Sequence, residues 1–333
     1  VQKRFSIVVP VYNRPGEMKE LLESLDKQSC RDFEVIVLED GSTQTSEEVV
    51  RSFQGVFPIE YTSKENSGPS DSRNQGIAMA KGEYVLFLDS DCIVPSGWLQ
   101  SIANFLKLNP SVVFFGGPDA AHEDFTPFQK AVSYSMTAFL TTGGIRGGKK
   151  TVTRYYPRSF NMGVKREAAL ALNGFDTGMR FGEDLDFSMR LEKAGHASAL
   201  ISEAWVWHKR RTKVRSFFKQ IFNSGMARVA LHLRHPGSLK PTHLLPTAFF
   251  LGLMGAILLS PWCLWPLYFY GTYLLFVAID AAWVFRNPLL GMMAVWATLI
   301  QHSAYGSGFL SGLWKAYVKK QMPGGAFKES FYK

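Results

Sequence analysis

The chain has 333 residues and a net charge of +9, a length that holds two domains at ~100–200 residues each. Its three cysteines, Cys30, Cys92 and Cys263, are scattered and odd in number. That excludes a disulfide framework and fits a reducing compartment. The charge is unevenly divided. Residues 1–203 carry 22 Lys+Arg against 26 Asp+Glu, a net of −4, and residues 204–333 carry 15 against two, Asp280 and Glu329, a net of +13. A basic half suits nucleic acid or an anionic membrane surface. The apolar runs threaded through it favour the membrane and count against nucleic acid.

In chain order, Phe5–Val9 reads as a buried strand, and no secretory h-region precedes it. This predicts a first domain not exported by a cleaved signal. Met18, Leu21, Leu22 and Leu25 then repeat at helical spacing. Strands are expected at Phe33–Leu38, Ile59–Thr62, Tyr84–Leu88 and Val112–Phe115, with helices at Ser70–Ala80 and Trp98–Leu108. Such alternation predicts an α/β domain built on a mostly parallel sheet covered on both faces. Residues 116–163 are loop-rich, and the glycines around Arg146 with Lys149 and Lys150 suggest a flap or acceptor loop. Helices follow at Lys165–Leu172 and Leu185–Ala194, then short strands at Ala197–Ile201 and Ala204–Trp207.

Beyond this first domain, placed at 1–207, residues 208–243 read as basic amphipathic interfacial helices. Residues 208–240 hold nine Lys/Arg and no acid, interleaved with Phe217, Phe218, Ile221 and Phe222. Residues 244–333 form the membrane region. Runs at 244–260 and 264–285 approach the ~20 apolar residues of a bilayer span. A third segment, 288–314, turns polar and small after Ile300 and reads as re-entrant or interfacial. Two crossings keep the basic segment and the basic tail on the cytoplasmic side. The location expected is the inner membrane, with the first domain facing the cytoplasm.

The chemistry concentrates at strand ends. Asn13, Asp40, Asp89 and Asp91 all fall just past predicted strands, where ligands of open α/β sheets bind. Asp89-Ser90-Asp91 places two carboxylates at i and i+2, the same side of an extended chain. A hard cation bridging phosphates favours such a pair. Asp186 and Arg190 are spaced i, i+4 and read as a structural ion pair.

Taken together, Pro10-Val11-Tyr12-Asn13, Glu39-Asp40-Gly41-Ser42, Arg73-Asn74, Asp89-Ser90-Asp91 and Phe181-Gly182-Glu183-Asp184 resemble the inverting glycosyltransferase family 2, of GT-A fold, over residues 5–208. The resemblance implies a nucleotide-sugar donor, commonly UDP-linked, and Mn2+ or Mg2+. It implies that Pro10, Tyr12 and Asn13 line the base pocket, that Asp40 contacts base or ribose, and that Arg73 lies beside the diphosphate. Asp91 would ligate the metal directly, with Asp89 on ribose or metal-bound water and His208 completing the site. Arg210 and Arg211 would serve the pyrophosphate. Asp184 would be the general base, with Glu183 as the close alternative, and Asn161-Met162-Gly163 the donor-sugar loop.

The tail motif Tyr305-Gly306-Ser307-Gly308-Phe309 resembles membrane-anchored bacterial members that build polysaccharides or glycolipids. No Gln-x-x-Arg-Trp element is present, which argues against a processive synthase. The expected acceptor is a hydroxyl of a membrane- or lipid-linked glycan; a polyprenyl phosphate, which needs no strong base, is the alternative. A non-catalytic nucleotide-sugar-binding subunit is another. Asp89-x-Asp91 also resembles the haloacid dehalogenase-like phosphatases, but their pair follows the first strand of the domain.

Overall fold

The computed structural model describes residues 3–120, 125–143 and 155–323; Arg146, Lys149 and Lys150 of the glycine-rich loop lie outside them. The strands are β1 (Phe5–Val11), β2 (Phe33–Asp40), β3 (Ile59–Lys64), β4 (Tyr84–Leu88), β5 (Cys92–Ile93), β6 (Phe114–Gly116), β7 (Asp119–Ala120), β8 (Asn161–Lys165), β9 (Ser198–Leu200) and β10 (Val206–His208). The helices of the first half are α1 (Pro15–Asp26), α2 (Glu47–Ser52), α3 (Pro69–Met79), α4 (Trp98–Leu108), α5 (Pro127–Thr137), α6 (Phe139–Thr142), α7 (Arg166–Ala171) and α8 (Glu183–Lys193). Those of the second half are α9 (Val214–Arg234), α10 (Leu245–Leu259), α11 (Trp265–Phe285) and α12 (Pro288–Leu313).

The chain divides into two compact units. The first holds residues up to Ala120 together with 155–208. Its seven-stranded sheet runs β3-β2-β1-β4-β8-β6-β9, parallel except where β8 lies antiparallel to β4 and β6. The largely apolar strands β1, β2 and β4 are buried on both faces, as strands beneath two helical layers must be. One side packs α1 and α4 through Met18, Leu22, Trp98 and Ile102. The other packs α3 and α8 through Ile77, Phe187 and Leu191. β8 was not expected as a strand. Its Asn161 accepts from Trp98 Nε1 at 3.1 Å and donates to Ala204 O at 2.7 Å. The Asn161-Met162-Gly163 segment is therefore strand rather than loop. A second, short sheet, β5-β10-β7, stands at the carboxyl end of β4.

The second unit contains the described residues 125–143 and 209–323, so the first domain is not the continuous 1–207 expected. Helix α5 buries Ala131, Val132 and Met136 with Phe217, Ile221 and Ala297 of α9 and α12. Three further expectations change here. The apolar face of α9 is covered by protein rather than left for a bilayer. Phe217, Ile221, Met226 and Val229 are buried, and a Cβ at Gly225 would stand 2.2 Å from Tyr305 O of α12. Helix α12 is one continuous 26-residue helix, not a re-entrant segment. Its small polar stretch stays helical because it holds no proline and packs tightly: a Cβ at Gly308 would stand 2.0 Å from Phe222 O. Finally, the 15 residues of α10 span about 22 Å at 1.5 Å per residue, short of the ~30 Å hydrocarbon core. Among the described residues only Trp265–Phe285 is long and apolar enough to cross a membrane.

Candidate active site

β1, β2 and β4 are neighbours in the sheet. Their carboxyl ends therefore bring Asn13, Asp40, Asp89 and Asp91 to one edge of the first unit, as expected. The chain turns at Asn13 through a left-handed conformation, φ 53°, which Asn tolerates better than most residues. Its Oδ1 accepts from Thr43 N at 2.8 Å and Gln44 N at 2.9 Å, pinning the loop after β2. Pro10 and Tyr12 flank it, each half-buried. Asp40 is buried. Its carboxylate accepts from Ser67 N at 3.0 Å, Gly68 N at 2.9 Å and Asn66 Nδ2 at 3.2 Å, and from Lys64 Nζ. Contact between Asp40 and a base or ribose therefore requires a ligand to displace one of these donors.

Arg73 reaches out of α3 as a buried strut. Its Nη2 donates to Asp89 Oδ1 at 2.8 Å and its Nη1 to Glu183 Oε1 at 3.1 Å, with the guanidinium over the Phe175 ring. One cation thus joins the end of β4 to the first turn of α8. Burial weakens this guanidinium, but Asp89 and Glu183 more than restore it and raise its pKa. Arg73 sits among carboxylates, where a diphosphate would have to compete for it. On α8, burial and then repulsion from Asp184 push Glu183 up to about 7, against the pull of Arg73. Asp184 is held differently. Its Oδ1 accepts from Leu185 N at 2.8 Å, and Arg158 lies 3.6 Å away. Asp186 and Arg190 form the expected ion pair at 2.8 Å. Arg190 also ties down Leu172 O and Gly174 O at 2.7 Å each, a purely structural clamp.

Asp91 lies between Arg14 and His208. Arg14 Nη1 donates to its Oδ2, and His208 Nε2 stands 3.2 Å from its Oδ1. Burial acts upward on the Asp91 carboxyl, but His208 and Arg14 together hold it well below the usual carboxylate range. The antiparallel register His208↔Cys92 between β10 and β5 makes this meeting possible. Two donors at 3.2 Å are spaced as neighbouring ligands of one ion with ~2.1 Å bonds, so the residues fit a divalent cation. Cys92 completes a cluster whose donor atoms lie within 4.8 Å of one another. Burial, then the charges of Asp91 and Asp89, push its thiol well up. It donates to Phe160 O at 3.5 Å. Arg14 and Cys92 were missed by sequence reasoning, although each sits beside a recognised motif. Arg210, expected near the pyrophosphate, belongs to the second unit, where its carbonyl accepts from Gln129 Nε2 at 2.8 Å.

A mostly parallel sheet with an acidic cluster beyond its central strand, followed by a helical region, is the architecture of the GT-A glycosyltransferases. The fold matches that of the Pyrobaculum calidifontis mannosyltransferase PcManGT, solved with GDP-Man and Mn2+. The TM-score is 0.60 and the identity 17%, over 95% of this chain and 88% of that one. Residues 6–169 match the family described as Glycosyl transferase family 2. An uncharacterized glycosyltransferase of Haemophilus influenzae is 33% identical over 194 residues, 56% of this chain and 61% of that protein. A Bacillus spizizenii poly(ribitol-phosphate) beta-glucosyltransferase is 39% identical over 119 residues, 34% of this chain and 19% of that protein. The chain spans less than two thirds of the length of these relatives.

Proposed function

We propose that this chain transfers a sugar, with inversion, from a nucleotide-sugar to a hydroxyl of a membrane- or lipid-linked glycan. The donor proposed is UDP-linked, with GDP the alternative, since a fold neighbour was solved with GDP-Man. The observation that carries the reading is the facing of two acidic centres across Arg73. On one side stands the Asp91–His208 pair, 3.2 Å apart, reached from Arg73 through Asp89. On the other stands Glu183–Asp184.

Asp91 and His208 would hold Mn2+ or Mg2+, with Asp89 beside them toward ribose or water. The ion when bound supplies charge neutralisation for the departing diphosphate without proton transfer. Asp184 takes the proton of the acceptor hydroxyl. The acceptor oxygen bonds to the anomeric carbon as the bond from that carbon to the diphosphate oxygen breaks, and the nucleoside diphosphate leaves with the electron pair. Asp184 suits this task because Arg158 lies 3.6 Å from its side chain, whereas the neighbouring Glu183 is engaged by Arg73. A phosphate acceptor would need no such base, and this favours a hydroxyl.

The membrane part of the reading draws on the second unit. Helix α11 spans 21 residues and is 11% buried along its apolar window. Trp265, Tyr268 and Phe269 near its start and Trp283 near its end are exposed, as aromatic residues are at the two interfaces of a bilayer. Its one acid, Asp280, accepts from Tyr134 OH within the protein. We place the chain at the cytoplasmic membrane on these grounds, with the first unit on the cytoplasmic side. The test is a screen of UDP- and GDP-sugars for thermal stabilisation and slow hydrolysis with Mn2+ or Mg2+. At least one donor should stabilise the chain only with the metal. Stabilisation by none would sink the proposal.

A further inference from the structure

The short sheet β5-β10-β7 does more than carry His208 to Asp91. Its central strand β10 pairs on its other side with β7, in the register Val206↔Asp119 and Trp207↔Ala120. The Asp119 side chain is fully buried and lies on the far side of the imidazole from Asp91: Asp119 Oδ2 is 3.9 Å from His208 Nδ1. The ring is thus bracketed by two carboxylates, one at each nitrogen. Its plane is set by Phe160, stacked at 4.7 Å between centroids and 24° between planes. The backbone is shaped for this placement. Val206 N donates to Pro118 O at 3.1 Å. A Cβ at Gly117 would stand 1.8 Å from Ala204 O, so Gly117 alone lets the strand bearing Asp119 come this close to the one bearing His208.

A neutral imidazole carries one proton, and the group facing the protonated nitrogen decides which one. When a cation on the Asp91 side takes the Nε2 lone pair, the ring's one proton is left at Nδ1, facing the buried carboxylate of Asp119. We infer that Asp119 is the positioning residue of His208. It supports the Nδ1–H tautomer that a cation bound at Nε2 requires, and so sets the affinity of the Asp91–His208 pair for a divalent cation. The inference builds on the reading of that pair as a cation site. It adds a residue that no family motif in the sequence pointed to.

The experiment uses the full chain and Mn2+ as the probe. Mn2+ binding is measured by calorimetry or by electron paramagnetic resonance for the wild type, His208→Ala and Asp119→Asn. The Nδ1–H of His208 is read from its 1H shift and solvent exchange in the wild type loaded with diamagnetic Zn2+ in place of Mn2+. Asp119→Asn is expected to weaken Mn2+ binding ~10–100-fold, the range found for outer partners of metal-ligating histidines, and the Nδ1–H of the Zn2+-loaded wild type to be shifted downfield and protected from solvent exchange. Unchanged Mn2+ affinity in Asp119→Asn, with binding lost in His208→Ala, would overturn the role of Asp119 and leave the cation site standing. Equal binding by wild type and His208→Ala, or none by either, would overturn both. Should Asp119→Asn fail to fold, an Nδ1–H in the Zn2+-loaded wild type at the shift of an unbonded imidazole still overturns the inference, and a downfield, protected one supports it.

Discussion

Arg73 shows how far single residues could be read from sequence. Its place beside the acidic motifs was legible, because Arg73-Asn74 precedes the Asp89-Ser90-Asp91 pair at a recognisable distance. Its work as a strut between Asp89 and Glu183 was not, because Glu183 lies 110 positions further on. The same residue bears on the choice of base. Asp184→Asn should bind donor and metal unchanged yet lose transfer ~10²–10⁴-fold, the usual worth of a general base. Glu183→Gln should lose less. Single-turnover transfer beside donor binding measures both, and full activity in Asp184→Asn would move the role to Glu183.

Glu183 also gives a pH dependence whose sign can be worked out. Its carboxyl is pushed up to about 7 in the folded chain, against ~4.3 for a free glutamate. Between those values the native state holds a proton that the unfolded state has released. Stability falls with rising pH wherever the native state binds more protons. The metal-free chain should therefore melt at a lower temperature at pH 8 than at pH 5, and Glu183→Gln should flatten that slope. A melting temperature equally pH-dependent in the variant would show that the proton resides elsewhere.

At the scale of elements, the parallel strands were legible because a strand buried on both faces is an unbroken apolar run, as in Val35–Leu38 and Tyr84–Leu88. β8 was not, because Asn161 and Gly163 break such a run. Only the structure shows that Asn161 satisfies Trp98 and Ala204 and that a Cβ at Gly163 would stand 2.3 Å from the Phe115 ring. The glycines of Tyr305-Gly306-Ser307-Gly308-Phe309 were noticed as a motif but not understood. Gly308 of α12 meets the backbone at Phe222, and Gly225 of α9 meets the backbone at Tyr305. Each helix thus removes a side chain where the other passes, as small residues do at close helix crossings. Gly308→Ala should cost the second unit ~1–3 kcal/mol, the range for overpacking a filled interior. Gly255→Ala in α10, where a Cβ meets nothing within 4 Å, should cost nothing measurable. Thermal loss of helical ellipticity compares the two, and equal melting temperatures would mean that the α9–α12 crossing relaxes freely.

At the scale of the whole molecule, the division of charge was legible from the first count of residues, while the assignment of apolar surface was not. The basic segment before the apolar runs looked like an amphipathic helix with a face to spare, yet that face is spent on α12. Much of the apolar surface left over belongs to α10, α11 and the turn between them, with Leu258, Trp262, Trp265, Phe269 and Trp283 exposed. If this surface enters a bilayer, the protein should bind vesicles by two separable contributions. The apolar contribution should hold the chain on neutral phosphatidylcholine vesicles at high salt. The basic contribution, from a region of net +13, should strengthen binding to vesicles containing phosphatidylserine at low salt and fade as the Debye length shrinks to ~3 Å at 1 M. Brominated lipids should quench tryptophan emission in the bound state. Replacing Trp265 or Trp283 by phenylalanine should each remove part of that quenching, because the two lie at opposite ends of a helix about 31 Å long at 1.5 Å per residue. Binding that vanishes entirely at high salt, with no quenching at either tryptophan, would mean that the exposed face of α11 meets another protein surface and that only the basic residues touch lipid.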